Sequence, residues 1–171
     1  IISLLYVVFF IPKFIYIKSR ILSFFNPDGG THNFQSDKAI EAISSGGFFG
    51  KGIGEGTLKT RVPEAHTDYI VSVISEEFGV IAIIFLLILF LFLIYSVFKK
   101  IYLEKSEKNK LVLTGAISLI IFQALIHLGV NIRLFPTTGM TLPFLSYGGS
   151  SIIGVSILSG IILNLTKRKI N

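Results

Sequence analysis

The sequence predicts an all-α integral membrane protein with about four transmembrane helices and one large extracytoplasmic loop. Three observations carry that reading. Of 171 residues, 51% are hydrophobic and only 15% charged, with a mean hydropathy of +0.74, which is too little charge to cover a soluble domain of this size. The apolar residues come in long blocks parted by polar stretches, the pattern of membrane spans. The basic residues sit at the ends of those blocks, where a bilayer places them. The net charge of +6 therefore forms no nucleic-acid stripe, and the absence of cysteine excludes disulfides and thiolate metal sites.

The first span is expected at about residues 1–17, interrupted by Pro12 and Lys13. The chain opens at Ile1 with neither a basic n-region nor a small-residue cleavage site. It is not a signal peptide by pattern, and a piece of a longer protein that starts inside a helix is expected. The extracytoplasmic loop follows at about 19–67. Within it "SDKAIEAISSGG" has a polar start, Ile40 and Ile43 on one side and a glycine stop, the pattern of a short surface helix. Next comes "GGFFGKGIGEG". It fits neither a phosphate-binding G-x-x-x-x-G-K-[ST] loop nor a strand-flanked dinucleotide fingerprint. Such dense glycine allows sharp turns and close backbone approach, or serves as a flexible spacer.

The second span, about 79–98, holds twenty uncharged residues. At ~1.5 Å per residue that is roughly 30 Å, one hydrocarbon thickness. The third, about 111–132, carries Gln123, His127 and Asn131 at i, i+4 and i+8, on one face. Polar residues inside a bilayer are costly and turn inward. They are expected as interhelical hydrogen-bonding groups, the other readings being a direct catalytic role and a polar path through the bilayer. No H-E-x-x-H is present, so no zinc site is proposed. Pro136 and Pro143 then break helical hydrogen bonding in "PTTGMTLPFLSYGGSS". An irregular segment is expected there, folded back on protein, with the last helix starting near Ser146 or Ser150. That helix is the fourth span, about 150–165, with Ser156 and Gly160 as a small-residue packing pair before the stop "TKRK". Five lysines in 99–110, with Lys167, Arg168 and Lys169, place those turns in the cytoplasm.

The acids cluster at one end. "VPEAHTDYIVSVISEEFG" sets Glu64, His66, Asp68, Glu76 and Glu77 against the mouth of the second span. Glu76 and Glu77 are either solvated at head-group level or ion-paired. Asp68 follows a proline-bearing turn, between His66 and Tyr69, and is the stronger candidate for chemistry.

Taken together, "GGFFGKGIGEGTLKTRVPEAHTDYIVSVISEEFG", "PTTGMTLPFLSYGGSS" and the "NPDGGTHNFQSDKAI" entry to the loop resemble the SEDS family (shape, elongation, division and sporulation: FtsW, RodA, SpoVE) over nearly the whole chain. The wording is nearer its FtsW branch. Two positions depart from the pattern: His127, usually Asn, and Arg133, where a small residue is common. The resemblance implies the C-terminal part of a ten-helix fold. It also implies a peptidoglycan glycosyltransferase that polymerises lipid II, the undecaprenyl-diphosphate-linked disaccharide pentapeptide, in cell division. The family's essential acid falls on Asp68. The chemistry fits that position. A base must take the proton of a sugar hydroxyl attacking an anomeric carbon, and positive charge must stabilise the departing diphosphate. Arg20, Lys59 and Arg61 are basic candidates for the diphosphate. Glu64, His66, Ser146 and Ser150 are further substrate-binding candidates. No metal ligands are assigned, and a divalent cation, Mg2+ or Mn2+, is the only cofactor left open. The implied partners are a class B penicillin-binding transpeptidase and other division-complex proteins, in the bacterial cytoplasmic membrane with the C-terminus inside. A flippase for lipid-linked precursors and an inert structural fragment are the other readings.

Overall fold

The structure, a computed structural model, describes residues 20–22, 24–25, 30–62 and 65–167. The span expected at 1–17 and Glu64 lie outside them. The described residues form helices and connections without strand: α1 (Gly30–Gly46), α2 (Leu58–Arg61), α3 (Ile70–Leu103), α4 (Glu107–Asn131) and α5 (Gly149–Thr166). Three of these, α3, α4 and α5, are long and apolar enough to cross a membrane.

The surface helix ends at Gly46, at the glycine the sequence marks as its stop, but begins at Gly30 rather than Ser36. It is not detached on the surface. Ala39 and Ala42 pack with Leu58, Val62, Ala65, Tyr69 and Val130 in a core at the acid-bearing end of the bundle. A second core, around Val97, Leu113, Ile117, Ile120 and Ile162, closes the lysine-rich end. Most of the apolar side chains of α3 face outward, among them Ile84, Phe85, Ile88 and Phe92, as suits a helix whose solvent is hydrocarbon. In α5, Ser156 and Gly160 are exposed and nothing lies where a side chain at Gly160 would go. The packing pair expected there meets no described helix, because α5 turns its Val155–Ile162 side inward instead.

α3 has 34 residues, about 51 Å at ~1.5 Å each, and so exceeds the span expected from its uncharged core. It is broken at Gly79, whose φ of 77° and ψ of −178° are not helical. A break there removes the bonds that Val80 and Ile81 N–H would give to the Glu76 and Glu77 carbonyls four residues back. The glycine-rich loop replaces each of them. Val80 N–H donates to Gly47 O at 3.0 Å and Ile81 N–H to Phe48 O at 3.4 Å, while Lys51 N–H donates to Glu76 O at 2.9 Å and Gly52 N–H to Glu77 O at 3.0 Å. All four freed groups are satisfied, which buried backbone requires. The glycine run is therefore a clasp on a kinked helix, not a spacer.

Candidate active site

Residues Ala65–Tyr69 form the turn that leads into α3. Tyr69 is fully buried in the core at the acid-bearing end, and its hydroxyl pairs with Ser36 Oγ at 3.2 Å, which anchors the turn. Three consecutive carbonyls of this turn are then gripped by three different groups. Tyr147 N–H donates to His66 O at 3.2 Å, Ser146 Oγ to Thr67 O at 2.8 Å, and Asn131 Nδ2 to Asp68 O at 2.9 Å. The Asp68 side chain is buried. One of its carboxyl oxygens lies 3.9 Å from the point where a side chain on Gly139 would begin. Gly139 is left-handed, with φ 72°, so the backbone passes close to the acid where a larger residue would be strained.

The segment from Ile132 to Gly148 is irregular and folds back onto the acid-bearing turn, as the prolines predict. α5 begins at Gly149. The polar face of α4 holds the segment in place. Gln123 Nε2 donates to Thr141 O at 2.9 Å and to Ser151 Oγ at 2.8 Å. His127 Nδ1 pairs with Met140 O at 2.8 Å. Asn131 grips the Asp68 turn. This face supplies hydrogen bonds within the chain, and among the described residues only His127 Nε2 on it is buried without a partner.

The two adjacent glutamates are ion-paired rather than solvated. Glu76 is buried and accepts from Lys51 Nζ at 2.9 Å, Thr57 Oγ1 at 3.1 Å and Leu58 N–H at 2.9 Å. Glu77 accepts from Lys59 Nζ at 2.9 Å, and the same ammonium donates to Gly54 O. Several donors on one carboxylate favour its charged form. Together the two pairs weld the glycine loop to α3.

Of the other candidate residues, Lys59 is held by Glu77 of α3, and Arg61 lies 3.8 Å from Glu41 of α1. Ser146 is buried, donating to Thr67 O and accepting from Leu142 N–H at 2.8 Å. Through the first of these bonds it holds the Asp68 turn. Ser150 is exposed in the first turn of α5, and His66 is exposed beside Asp68. Arg20 Nη1 donates to Thr137 O at 2.9 Å, which places this cation on the same short segment that passes Asp68. Arg133, in a left-handed conformation with φ 58°, pairs with Asp37 of α1. The structure thus gathers Asp68, His66, Ser146 and the segment Thr137–Gly139 in one place. The roles of Lys51 and Asn131 could not be read from the sequence, since their partners lie 25 and 63 residues away.

Among the described residues no three His, Cys, Asp or Glu side chains come together, and Glu76 and Glu77 are taken by lysines. No chemical step is routed through a metal.

Gly148 is in extended backbone, and a side chain there would start 2.8 Å from Thr141 Cγ2, on a residue fixed by Gln123. Gly148→Val is expected to cost about 1–3 kcal/mol through overpacking. The exposed Thr138→Val should stay within about 0.5 kcal/mol. Thermal unfolding in detergent checks both, and equal tolerance would show the segment to be a mere linker.

Known proteins of like sequence bear on this geometry. The FtsW/RodA/SpoVE model, described as "Cell cycle protein", matches residues 1–171. The chain is 40% identical over 157 residues to a "Probable peptidoglycan glycosyltransferase FtsW" of Caulobacter vibrioides, covering 91% of this chain and 40% of that one. It is 36% identical over 171 residues to the protein so named in Geobacter metallireducens, with 98% and 46% covered, and 38% identical over 154 residues to that of Enterococcus hirae, with 88% and 39% covered. A chain of a solved structure on "polymerization and crosslinking by a peptidoglycan synthase complex" superposes with TM-score 0.67 at 27% identity, covering 96% of this chain and 47% of that one. The chain spans less than half the length of the curated relatives it matches.

Proposed function

Because the chain belongs to the FtsW/RodA/SpoVE family of cell cycle proteins, we propose that it forms the acid-bearing part of a peptidoglycan glycosyltransferase that polymerises lipid II. The observation that carries this reading is the buried Asp68, gripped at the end of a spanning helix and facing the folded-back segment. In the proposed step a sugar hydroxyl oxygen attacks the anomeric carbon of a second, diphosphate-linked sugar. The hydroxyl proton passes to the Asp68 carboxylate. The bond from the anomeric carbon to the diphosphate oxygen breaks, and the diphosphate leaves with its electron pair. Arg20, fixed on Thr137 O, is the described cation best placed to balance that charge. The lipid of such a substrate lies in the bilayer and its sugars in the water above, so an acid at a helix mouth is where the two meet. Gln123, His127 and Asn131 each bond to main chain within the same protein, which supports the transferase over the flippase. The crosslinking transpeptidase of a peptidoglycan synthase is the proposed partner.

The test uses a protein of the relatives' full length that carries these 171 residues, reconstituted with lipid II. Glycan polymer is the expected product. Translocation of lipid II without polymer would replace the transferase with the flippase.

Sidedness is part of the same proposal. The acid-bearing turn and the irregular segment share one end of the bundle, and Lys99–Lys110 lies at the other. The lysine bias puts the latter in the cytoplasm. In a cysteine-free background, Ser45→Cys should react with an impermeant thiol reagent added to intact cells, and Ser106→Cys should not. The reverse labelling would invert the topology.

A further inference from the structure

Asn131 ends α4, and its side chain is fully buried. All the hydrogen-bonding capacity of its amide is used. Nδ2 donates to Asp68 O and His127 O, each at 2.9 Å, and Oδ1 accepts from Ser72 N–H at 3.1 Å and Ser72 Oγ at 2.7 Å. Two of these partners are a special pair. In an uninterrupted helix the N–H of residue 72 would donate to the carbonyl of residue 68, four back. The Asn131 amide stands between them. It offers an acceptor to the N–H and a donor to the carbonyl, and so replaces one helical bond with two. The first regular bond of α3 is therefore that of Val73 N–H to Tyr69 O at 3.1 Å, and the helix starts at Ile70.

This wedge decides where Asp68 goes. If Ser72 N–H closed onto Asp68 O, α3 would start one residue earlier, at Tyr69, and residue 68 would become its N-cap. Its side chain would then turn back toward the first N–H groups of α3 rather than stay where it passes Gly139. We infer that Asn131 is a positioning residue for Asp68: an amide from α4 that caps α3 in trans and holds the acid's peptide out of the helix. This rests on the reading of Asp68 as the base. An interhelical bond serving only stability would have no reason to split this one backbone pair.

The test measures kcat and KM for lipid II polymerisation by the full-length protein described above, per folded molecule from a monodisperse preparation. Asn131→Ala should lower kcat about 10–100-fold with KM within about twofold, since displacing a reacting group by about 1 Å is enough for such a loss. Leu113→Ala is the control for stability alone. It empties a fully buried core site far from the acid, so it should lower the melting temperature and leave kcat per folded molecule at the parent value. If Asn131→Ala also keeps the parent kcat, the inference is overturned. Should Asn131→Ala not fold, Ser72→Ala decides, because it removes only the hydroxyl bond that steers the amide. A kcat reduced about threefold or more supports the wedge, and the parent kcat rejects it. Asp68→Asn is assayed in the same series. Parent activity there sinks the reading of the base, whereas an inactive Asp68→Asn beside a fully active Asn131→Ala sinks only the wedge.

Discussion

Asp68→Asn is expected to lower the rate of lipid II polymerisation by about 10²–10⁴, the usual cost of losing a general base, while the protein inserts and accumulates normally. The substitution keeps the size and shape of the side chain and removes its ability to take a proton. The turn should survive, because main-chain carbonyls of His66, Thr67 and Asp68 are held by three separate donors. The spanning part of α3 begins below it, past Gly79. Glu76→Gln should behave in the opposite way. Its carboxylate is tied to Lys51, Thr57 and Leu58, so its loss should appear as less protein with near-parent activity per molecule. Polymerisation by reconstituted protein, with abundance measured in parallel, separates the two. An Asp68→Asn protein that polymerises at the parent rate would remove Asp68 from the mechanism.

Gly79→Ala should be among the most damaging single-methyl additions in the described fold. At φ 77° an alanine is strained by about 1–3 kcal/mol. The added carbon would also lie 2.2 Å from Phe48 O and 2.5 Å from Gly50 N, and backbone cannot swing aside as a flexible side chain can. Relief requires pushing the glycine loop off α3. That orphans the carbonyls of Glu76 and Glu77 and the N–H groups of Val80 and Ile81, at about 1–3 kcal/mol for each buried group left unpaired. A loss of at least about 3 kcal/mol is expected, with faster amide exchange across residues 47–52. Gly115→Ala is the contrast. Gly115 lies within α4 with open space where the methyl would go, so it should be neutral or stabilising by up to about 1 kcal/mol. Equal melting temperatures for the two variants would show that the clasp contributes nothing to stability.

Much of this was written in the sequence. Uncharged runs of about twenty residues define spanning helices, because hydrocarbon tolerates no unpaired charge and hydropathy is a local property. Prolines at 136 and 143 mark the irregular segment, since past its first turn a helix is broken by a missing N–H and a clashing ring. The family follows from contiguous motifs, and the proposal for Asp68 rests on the same motifs. The tertiary structure decided the rest, and in each case the reason is distance along the chain. Whether Glu76 and Glu77 were solvated or paired depended on lysines 25 and 18 residues earlier. The glycine run became a clasp only because α3 breaks at Gly79 and exposes four backbone groups to it. That Lys59 meets Glu77, Arg61 meets Glu41 and Ser146 bonds Thr67 O was likewise not legible, since a side chain's partner is not written in its letter. Asn131 lay on a polar stripe whose period told its face but not its partner. That its amide would split a bond between Asp68 and Ser72 is a matter of two helices meeting, and the spacing of residues along either one does not contain it.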